Sequence, residues 1–162
     1  MKIKSEDSAV YNLSIKDKED AVIENALAIL KNRMKTHETT ISSSSDAINF
    51  VKLKIGLLEH EVFSVLFLNT KHQLIEYDEM FRGTINVASV YPREILKKCL
   101  SVNADAIIIA HNHPSGIVEA SMSDKKITTA IQNALSYIDV NFLDHIIVGG
   151  NNCLSFADKD ML

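Results

Sequence analysis

Residues 105–114 of the chain are DAIIIAHNHP, an apolar run that ends in two histidines separated by one residue and followed by a proline. Such a short, nearly continuous run is typical of a central strand buried on both faces. We therefore predict a strand over residues 105–110, with the polar residues just past its end. Residues i and i+2 of extended backbone point to the same side, so His111 and His113 are expected to converge where the strand leaves the sheet.

On either side of this run, the apolar pattern alternates between helical and strand spacing. The helical spacing predicts helices over residues 17–34, 45–58, 92–102 and 124–138. Runs rich in Val, Phe, Leu and Ile predict strands over residues 61–68, 142–148 and 153–156, and another that follows a turn at 69–72 and ends near residue 82. This order of elements predicts an α/β domain with a mixed sheet.

The charge balance bears on possible partners. The chain has 17 Lys and Arg residues against 21 Asp and Glu residues, a net charge of −4. Because non-specific DNA binding depends on cationic side chains that neutralise phosphates, the overall charge does not favour it, although Lys97 and Lys98 are a candidate basic patch. No apolar run approaches the roughly 20 residues of a membrane helix, and residues 1–7 are polar and acidic, so we expect a cytoplasmic protein with no membrane partner.

The two cysteines, Cys99 and Cys153, lie far apart in apolar surroundings and form no C-x-x-C pair. A thiolate zinc site is therefore not indicated. We predict that both are buried free thiols.

Asp124 completes a candidate metal site with the two histidines. It lies in the first turn of the helix that follows the His-rich loop, and that connection allows it to fold back over His111 and His113. Two imidazole nitrogens and one carboxylate oxygen suit zinc and leave a fourth position for water. Zinc lowers the pKa of such a water towards about 7.

Two further residues are candidates for hydrolytic chemistry. Glu61 opens a predicted strand and is a candidate proton acceptor, with Glu59 as its rival and a solvated strand end as the alternative. Ser121 is a candidate donor to a developing oxyanion. Its position three residues before Asp124 is also typical of a helix cap, which is the simpler interpretation of Ser121 taken alone.

The order of His111, His113, Ser121 and Asp124 resembles the H-x-H-P-x(n)-S-x-x-D signature of the JAMM (MPN+) metalloproteases, and the chain is similar more closely to the bacterial RadC family. The resemblance covers residues 45–162 and includes several separated motifs, which are Glu61-Val-Phe63, Leu66-Phe-Leu68-Asn69, Phe81-Arg-Gly83-Thr84, Tyr91-Pro-Arg-Glu94 and Leu143-Asp-His145 before Gly149-Gly150.

The resemblance implies a JAMM/MPN-type fold, a curved mixed β-sheet flanked by helices and related in architecture to cytidine deaminases. It implies Zn²⁺ on His111, His113 and Asp124, with Glu61 as general acid and base and Ser121 assisting. Glu61 is preferred to Glu59 because the family's glutamate stands two residues before a phenylalanine, here Phe63. Residues 45–162 would form this domain, and residues 1–40 a helical appendage.

The function that follows is a zinc-dependent peptidase or isopeptidase acting on a peptide or protein. Asn112 stands where JAMM proteases that act on ubiquitin-like conjugates usually have Ser or Thr, which argues against a substrate of that kind. The alternative is a binding protein associated with DNA repair or recombination, with DNA or a replication or repair protein as partner and a structural or vestigial metal site. Zinc deamination is excluded because the H-x-E and P-C-x-x-C motifs are missing. The oligomeric state is left open.

Three other residues have two interpretations each. His145 is either a hydrogen-bonded structural residue or a contact of the site, and Arg82 and Arg93 either hold a substrate carboxylate or form surface salt bridges.

Overall fold

The structure, a computed structural model, describes residues 15–35, 41–83 and 90–162. The helices and strands of these residues follow one another as α1 (Ile15–Lys35), α2 (Ser44–Ile55), β1 (Val62–Leu68), β2 (Leu74–Arg82), α3 (Pro92–Val102), β3 (Ala106–Asn112), α4 (Met122–Leu135), a 3-10 turn (Ser136–Ile138), β4 (Asn141–Gly149) and β5 (Asn152–Ser155).

The strands form one five-stranded sheet in the order β2-β1-β3-β4-β5. Strand β1 is antiparallel to both of its neighbours, and β5 is antiparallel to β4. Strands β3 and β4 are parallel, and α4 supplies the crossover that a parallel pair requires. The predicted α/β architecture with a mixed sheet flanked by helices is confirmed.

Strands β1 and β3 are buried along their whole length, because helices cover both faces of the sheet. Their side chains alternate between two apolar clusters. In β3, Ile107 and Ile109 pack with α3 and α4, whereas Ala106, Ile108 and Ala110 pack with α2. Each buried isoleucine stabilises the fold by about 1.5–3 kcal/mol. The same alternation directs the side chain of His111 towards α4 and that of Asn112 towards α2.

Several element boundaries differ from the predicted ones. Strand β3 continues through Asn112 rather than ending at Ala110, since the chain remains paired with β4 as far as Val148. Helix α2 ends at Ile55, because a turn begins at Gly56, and does not continue to residue 58. Helix α4 begins at Met122, and a tighter 3-10 turn closes its predicted range.

Helix α1 includes the range predicted for the first helix, residues 17–34, and is slightly longer at both ends, and Leu27 is buried. Residues 1–14, 36–40 and 84–89 lie outside the described residues, and so does Thr84 of the Phe81 motif. The division into residues 1–40 and 45–162 therefore stays a prediction. Within the described ranges, no helix combines the length and the apolar character needed to cross a membrane.

The cysteines are both free, as predicted, but only one is fully buried. Burial raises the pKa of the Cys99 thiol to about 11. Cys153 is partly exposed because it lies on β5, at the edge of the sheet. The prediction that both thiols are buried was wrong for Cys153.

Candidate metal centre

The pleat of β3 brings the two histidines together. His111 lies within the strand and His113 directly after it, so both side chains point towards α4. Their Nε2 atoms lie 2.9 Å apart. The convergence predicted from the H-x-H spacing is present, although His111 belongs to the strand and is buried rather than standing past its end.

Asp124 reaches the histidines from the first turn of α4. Its Oδ1 lies 3.2 Å from His111 Nε2, and its Oδ2 lies 3.9 Å from His113 Nε2. The carboxylate is nearly fully buried, with 2% of the residue exposed. The predicted folding of this helix start over the two histidines is therefore what the tertiary structure shows.

Ser121 holds Asp124 in place through a capping box. The Ser121 hydroxyl accepts a hydrogen bond from Asp124 N–H at 3.1 Å, and Asp124 Oδ2 accepts one from Ser121 N–H at 2.7 Å. Burial alone would raise the pKa of Asp124, but the His111 ring beside the carboxylate and the hydrogen bond from Ser121 N–H outweigh burial and hold that pKa well below its usual range. Asp124 is therefore a carboxylate at neutral pH, which is the form that binds a metal.

The second ring nitrogen of His113 faces a backbone carbonyl. Nδ1 lies 2.6 Å from the oxygen of Ile117, and because a carbonyl only accepts, Nδ1 must carry the proton. In the neutral ring the lone pair is then on Nε2, the atom that faces His111 and Asp124. The loop after β3 thus presents His113 in the tautomer that a metal needs.

The second ring nitrogen of His111 faces another histidine. His111 Nδ1 lies 2.8 Å from His145 Nε2, and His145 Nδ1 lies 2.7 Å from the hydroxyl of Thr128 on α4. His145 is fully buried, and burial lowers its pKa well below the usual value for histidine. The interpretation of His145 as a hydrogen-bonded histidine holds, and its partner is a candidate metal ligand.

These three side chains fit a zinc ion. Two ligand atoms bound at about 2.0–2.1 Å and at the tetrahedral angle lie roughly 3.3 Å apart. The ligand atoms of His111, His113 and Asp124 all lie within 4.8 Å of one another, and two of the separations, 2.9 and 3.2 Å, lie slightly below the expected value. Two nitrogen lone pairs and a carboxylate at these distances repel one another unless a cation lies among them.

Glu61 lies beside this centre, directly before β1. It lines an open cleft of about 530 Å³ whose walls also include Glu59, Gly83 and His113. The Glu61 carbonyl accepts a hydrogen bond from Gly83 N–H at 2.9 Å, which ties the end of β2 to the cleft. The structure brings Glu61 and the rival Glu59 to the same cleft, so the structure leaves both candidates at the site.

Asn112 has a structural role at the site that the sequence did not predict. Its side chain points away from the histidines, and its oxygen accepts a hydrogen bond from Val62 N–H at 2.7 Å. Its amide donates to the carbonyls of Leu58 and His60 at 3.1 and 2.9 Å. All three bonds hold the segment that carries Glu61. The sequence signal for this role is a polar residue that follows a buried apolar strand, because a buried amide requires hydrogen-bond partners.

The basic residues singled out in the sequence are paired. Lys98 lies 2.7 Å from Glu76 and 3.4 Å from Asp78, and Lys97 lies 3.0 Å from Glu94. These ion pairs reduce the positive charge that the patch presents to phosphates. Arg82 and Arg93 also form surface ion pairs, with Glu79 and Glu94 respectively, as the simpler interpretation predicted.

Comparison with known proteins gives one family match and many relatives. The model of the RadC-like JAB domain matches residues 41–161. A UPF0758 protein of Vibrio cholerae is 46% identical over 152 residues, which cover 94% of this chain and 95% of the relative.

Two other relatives are longer than this chain. A UPF0758 protein of Leptothrix cholodnii is 50% identical over 114 residues, 70% of this chain and 51% of the relative. A UPF0758 protein of Methylibium petroleiphilum is 45% identical over 143 residues, 88% of this chain and 64% of the relative. The chain thus spans nearly the whole Vibrio relative but only half to two thirds of the other two.

Proposed function

The chain belongs to the family of RadC-like JAB domains, and on that basis we propose that it is a zinc-dependent hydrolase that cleaves an amide bond in a peptide or protein. The observation that carries this proposal is the convergence of His111, His113 and Asp124, of which His113 lines an open cleft. Zinc held by three protein ligands supplies an electrophile and lowers the pKa of a bound water to about 7. Two neutral imidazoles and one carboxylate are a common zinc ligand set.

In this proposal Glu61 moves the proton. It lines the cleft together with His113, so an amide lying in the cleft would be within its reach. Glu61 would accept a proton from the attacking water and donate it to the leaving amine, a role worth about 10²–10⁴-fold in rate.

Ser121 would stabilise the carbonyl oxygen of the substrate. The bond that caps α4 uses the Ser121 hydroxyl as an acceptor, so capping and donation to a substrate are compatible. The residue is exposed to solvent and adjoins Asp124, although it is not part of the cleft lining that includes Glu61.

We also propose that the protein works in the cytoplasm, since two free cysteines suit a reducing compartment.

The alternative of a DNA-associated binding protein finds no specific support in the described residues, where Lys97 and Lys98 are paired with acidic side chains.

The first experiment measures zinc in protein purified without a metal-binding tag and reconstituted at neutral pH. Wild type is compared with Asp124→Asn and with Asp144→Asn, which changes another buried aspartate outside the proposed ligand set. We expect about one zinc per chain in wild type and in Asp144→Asn, and a large loss in Asp124→Asn. Absence of zinc from reconstituted wild type would overturn the proposal.

The second experiment measures hydrolysis of a peptide library by zinc-loaded protein. Glu61→Gln should bind zinc normally and lose the activity of wild type, whereas Glu59→Gln, a neighbour in the same cleft, should retain it. Equal loss in both variants, or loss in Glu59→Gln alone, would show that the assignment of the proton acceptor is wrong.

A further inference from the structure

A chain of three hydrogen bonds runs from the backbone of α4 to His111, the more deeply buried of the two candidate histidine ligands. The Thr128 hydroxyl lies 2.6 Å from the carbonyl oxygen of Asp124 and 2.7 Å from His145 Nδ1. His145 Nε2 in turn lies 2.8 Å from His111 Nδ1. All of these groups are buried, so water does not compete for the bonds.

The donor and acceptor of every bond in the chain follow from the first bond, between Thr128 and the Asp124 carbonyl. A carbonyl oxygen only accepts, so the single hydroxyl hydrogen of Thr128 is donated to Asp124. Thr128 must then accept from His145, and the proton of the His145 ring is on Nδ1. The ring is fully buried and has no carboxylate within its hydrogen bonds, which disfavours a second proton.

We propose that His145 is a positioning residue for the metal centre, which together with Thr128 fixes the proton of His111 on Nδ1 and leaves the His111 Nε2 lone pair for the metal. Neutral His145 offers a lone pair at Nε2, and His111 Nδ1–H donates to it. The Nε2 atom of His111 is then free of hydrogen and faces Asp124 and His113. This inference rests on the metal binding of the proposed function.

The arrangement gives the two histidine ligands the same tautomer by different means. His113 donates from Nδ1 to a loop carbonyl, whereas His111 donates from Nδ1 to a second buried histidine. Outer partners of this kind fix the orientation of a ligand and raise its basicity, and their loss typically costs about 10–100-fold in metal affinity.

The test compares Thr128→Val with Thr128→Ser. Valine keeps the branched shape but removes the hydroxyl, so His145 loses the acceptor that fixes its proton on Nδ1. The His145 proton can then move to Nε2, which forces the proton of His111 onto the metal-binding nitrogen. We expect zinc affinity, measured by competition with a chelator, to fall by about 10–100-fold in Thr128→Val and to stay within about threefold in Thr128→Ser.

A packing control separates this effect from general damage. Phe156 packs on the His145 ring with centroids 4.5 Å apart, and no side-chain hydrogen bond is part of that contact. Phe156→Leu should lower the melting temperature of the metal-free protein without a comparable loss of zinc affinity. Equal zinc affinity in Thr128→Val and Thr128→Ser would overturn the inference, and so would an equal loss of affinity in Phe156→Leu and Thr128→Val.

A spectroscopic measurement tests the tautomer directly. Long-range ¹H–¹⁵N correlation spectra of histidine-labelled wild type at neutral pH should show His145 protonated on Nδ1 alone. Protonation on Nε2 overturns the inference whether or not zinc binds. If wild type shows the expected tautomer but binds no zinc after reconstitution, the proposed function fails, and the positioning role fails with it.

Discussion

The side-chain oxygen of Asn112 accepts a hydrogen bond from the backbone N–H of Val62 at 2.7 Å. The two residues lie 50 positions apart in the chain, one at the end of β3 and the other at the start of β1. The residue between the two histidines therefore holds the segment that delivers Glu61 to the cleft. The candidate metal ligands and the candidate proton acceptor are thus connected by hydrogen bonds across the sheet.

Asn112→Asp should destabilise the fold. The carboxylate can still accept from Val62 N–H, but it cannot donate to the carbonyls of Leu58 and His60. Each buried group left without a partner costs about 1–3 kcal/mol. Urea unfolding should show that loss in the free energy of unfolding, whereas Asn151→Asp, in the exposed turn after β4, should stay within about 0.5 kcal/mol of wild type. Similar free energies of unfolding for the two variants would contradict the proposed anchoring role of Asn112.

Ser121→Ala should weaken the start of α4. Removing the hydroxyl leaves Asp124 N–H without its cap, which costs about 0.5–2 kcal/mol of stability. Ser121→Thr keeps the hydroxyl and should recover most of the loss in thermal unfolding. If the alanine variant, held well below its melting temperature, hydrolyses peptide as fast as wild type, then Ser121 is a cap and has no oxyanion role.

Gly149→Ala, on β4, should disturb the candidate metal centre. A Cβ at this position would lie 2.6 Å from the carbonyl oxygen of Gly116, so the loop that supplies the Ile117 carbonyl to His113 must shift. We expect a loss of about 1–3 kcal/mol in stability together with weaker zinc binding in chelator competition.

Gly56→Ala is the matched control for this change. Its Cβ would lie 2.5 Å from the Lys52 carbonyl oxygen, a similarly close backbone contact, and its other close neighbour is Gly150. This variant should lose stability but keep wild-type zinc affinity. Equal zinc affinity in the two glycine variants would show that the loop after β3 does not control the site.

Asp144 should make stability depend on pH in a direction opposite to that of a paired carboxylate. Burial raises the pKa of Asp144 above its ordinary value of 3.8, and hydrogen bonds from Ser155, Ala157 and His145 offset only part of this effect. The folded protein then binds the proton more tightly than the unfolded chain. The contribution of Asp144 to the free energy of unfolding therefore falls as the pH rises from 3.8 through the folded-state pKa.

Asp144→Asn keeps the shape of the side chain but cannot titrate. The stability of wild type relative to this variant should rise as the pH is lowered from neutral towards about 4, as measured by urea unfolding at several pH values. A difference that shrinks on acidification would mean that the folded state holds Asp144 as a stabilised carboxylate.

Much of the site was predictable because its residues lie close together in sequence and obey local geometry. The i, i+2 spacing of His111 and His113 on an extended backbone puts both rings on one side. Ser121 and Asp124, three residues apart at a helix start, form the capping box that this spacing predicts. The order of the helices and strands followed from periodicity in the same way.

Other features of the site depend on contacts between distant segments. Asn112, Thr128 and His145 belong to three different elements. Only the folded arrangement of these elements brings Thr128 to His145, His145 to His111, and Asn112 to the start of β1. The length of β3 was also underestimated, because pairing with β4 carries two polar residues into the sheet.

The sequence by itself thus determined the α/β class, the three candidate metal ligands and the helix cap. Spacing and periodicity, which act within a few residues, predict the class and the cap, and the resemblance to a known motif joined Asp124 to the two histidines. The tertiary structure decided the tautomer of each histidine and the anchoring of the segment that carries Glu61. Those depend on hydrogen bonds between buried groups that the chain brings together only when it folds.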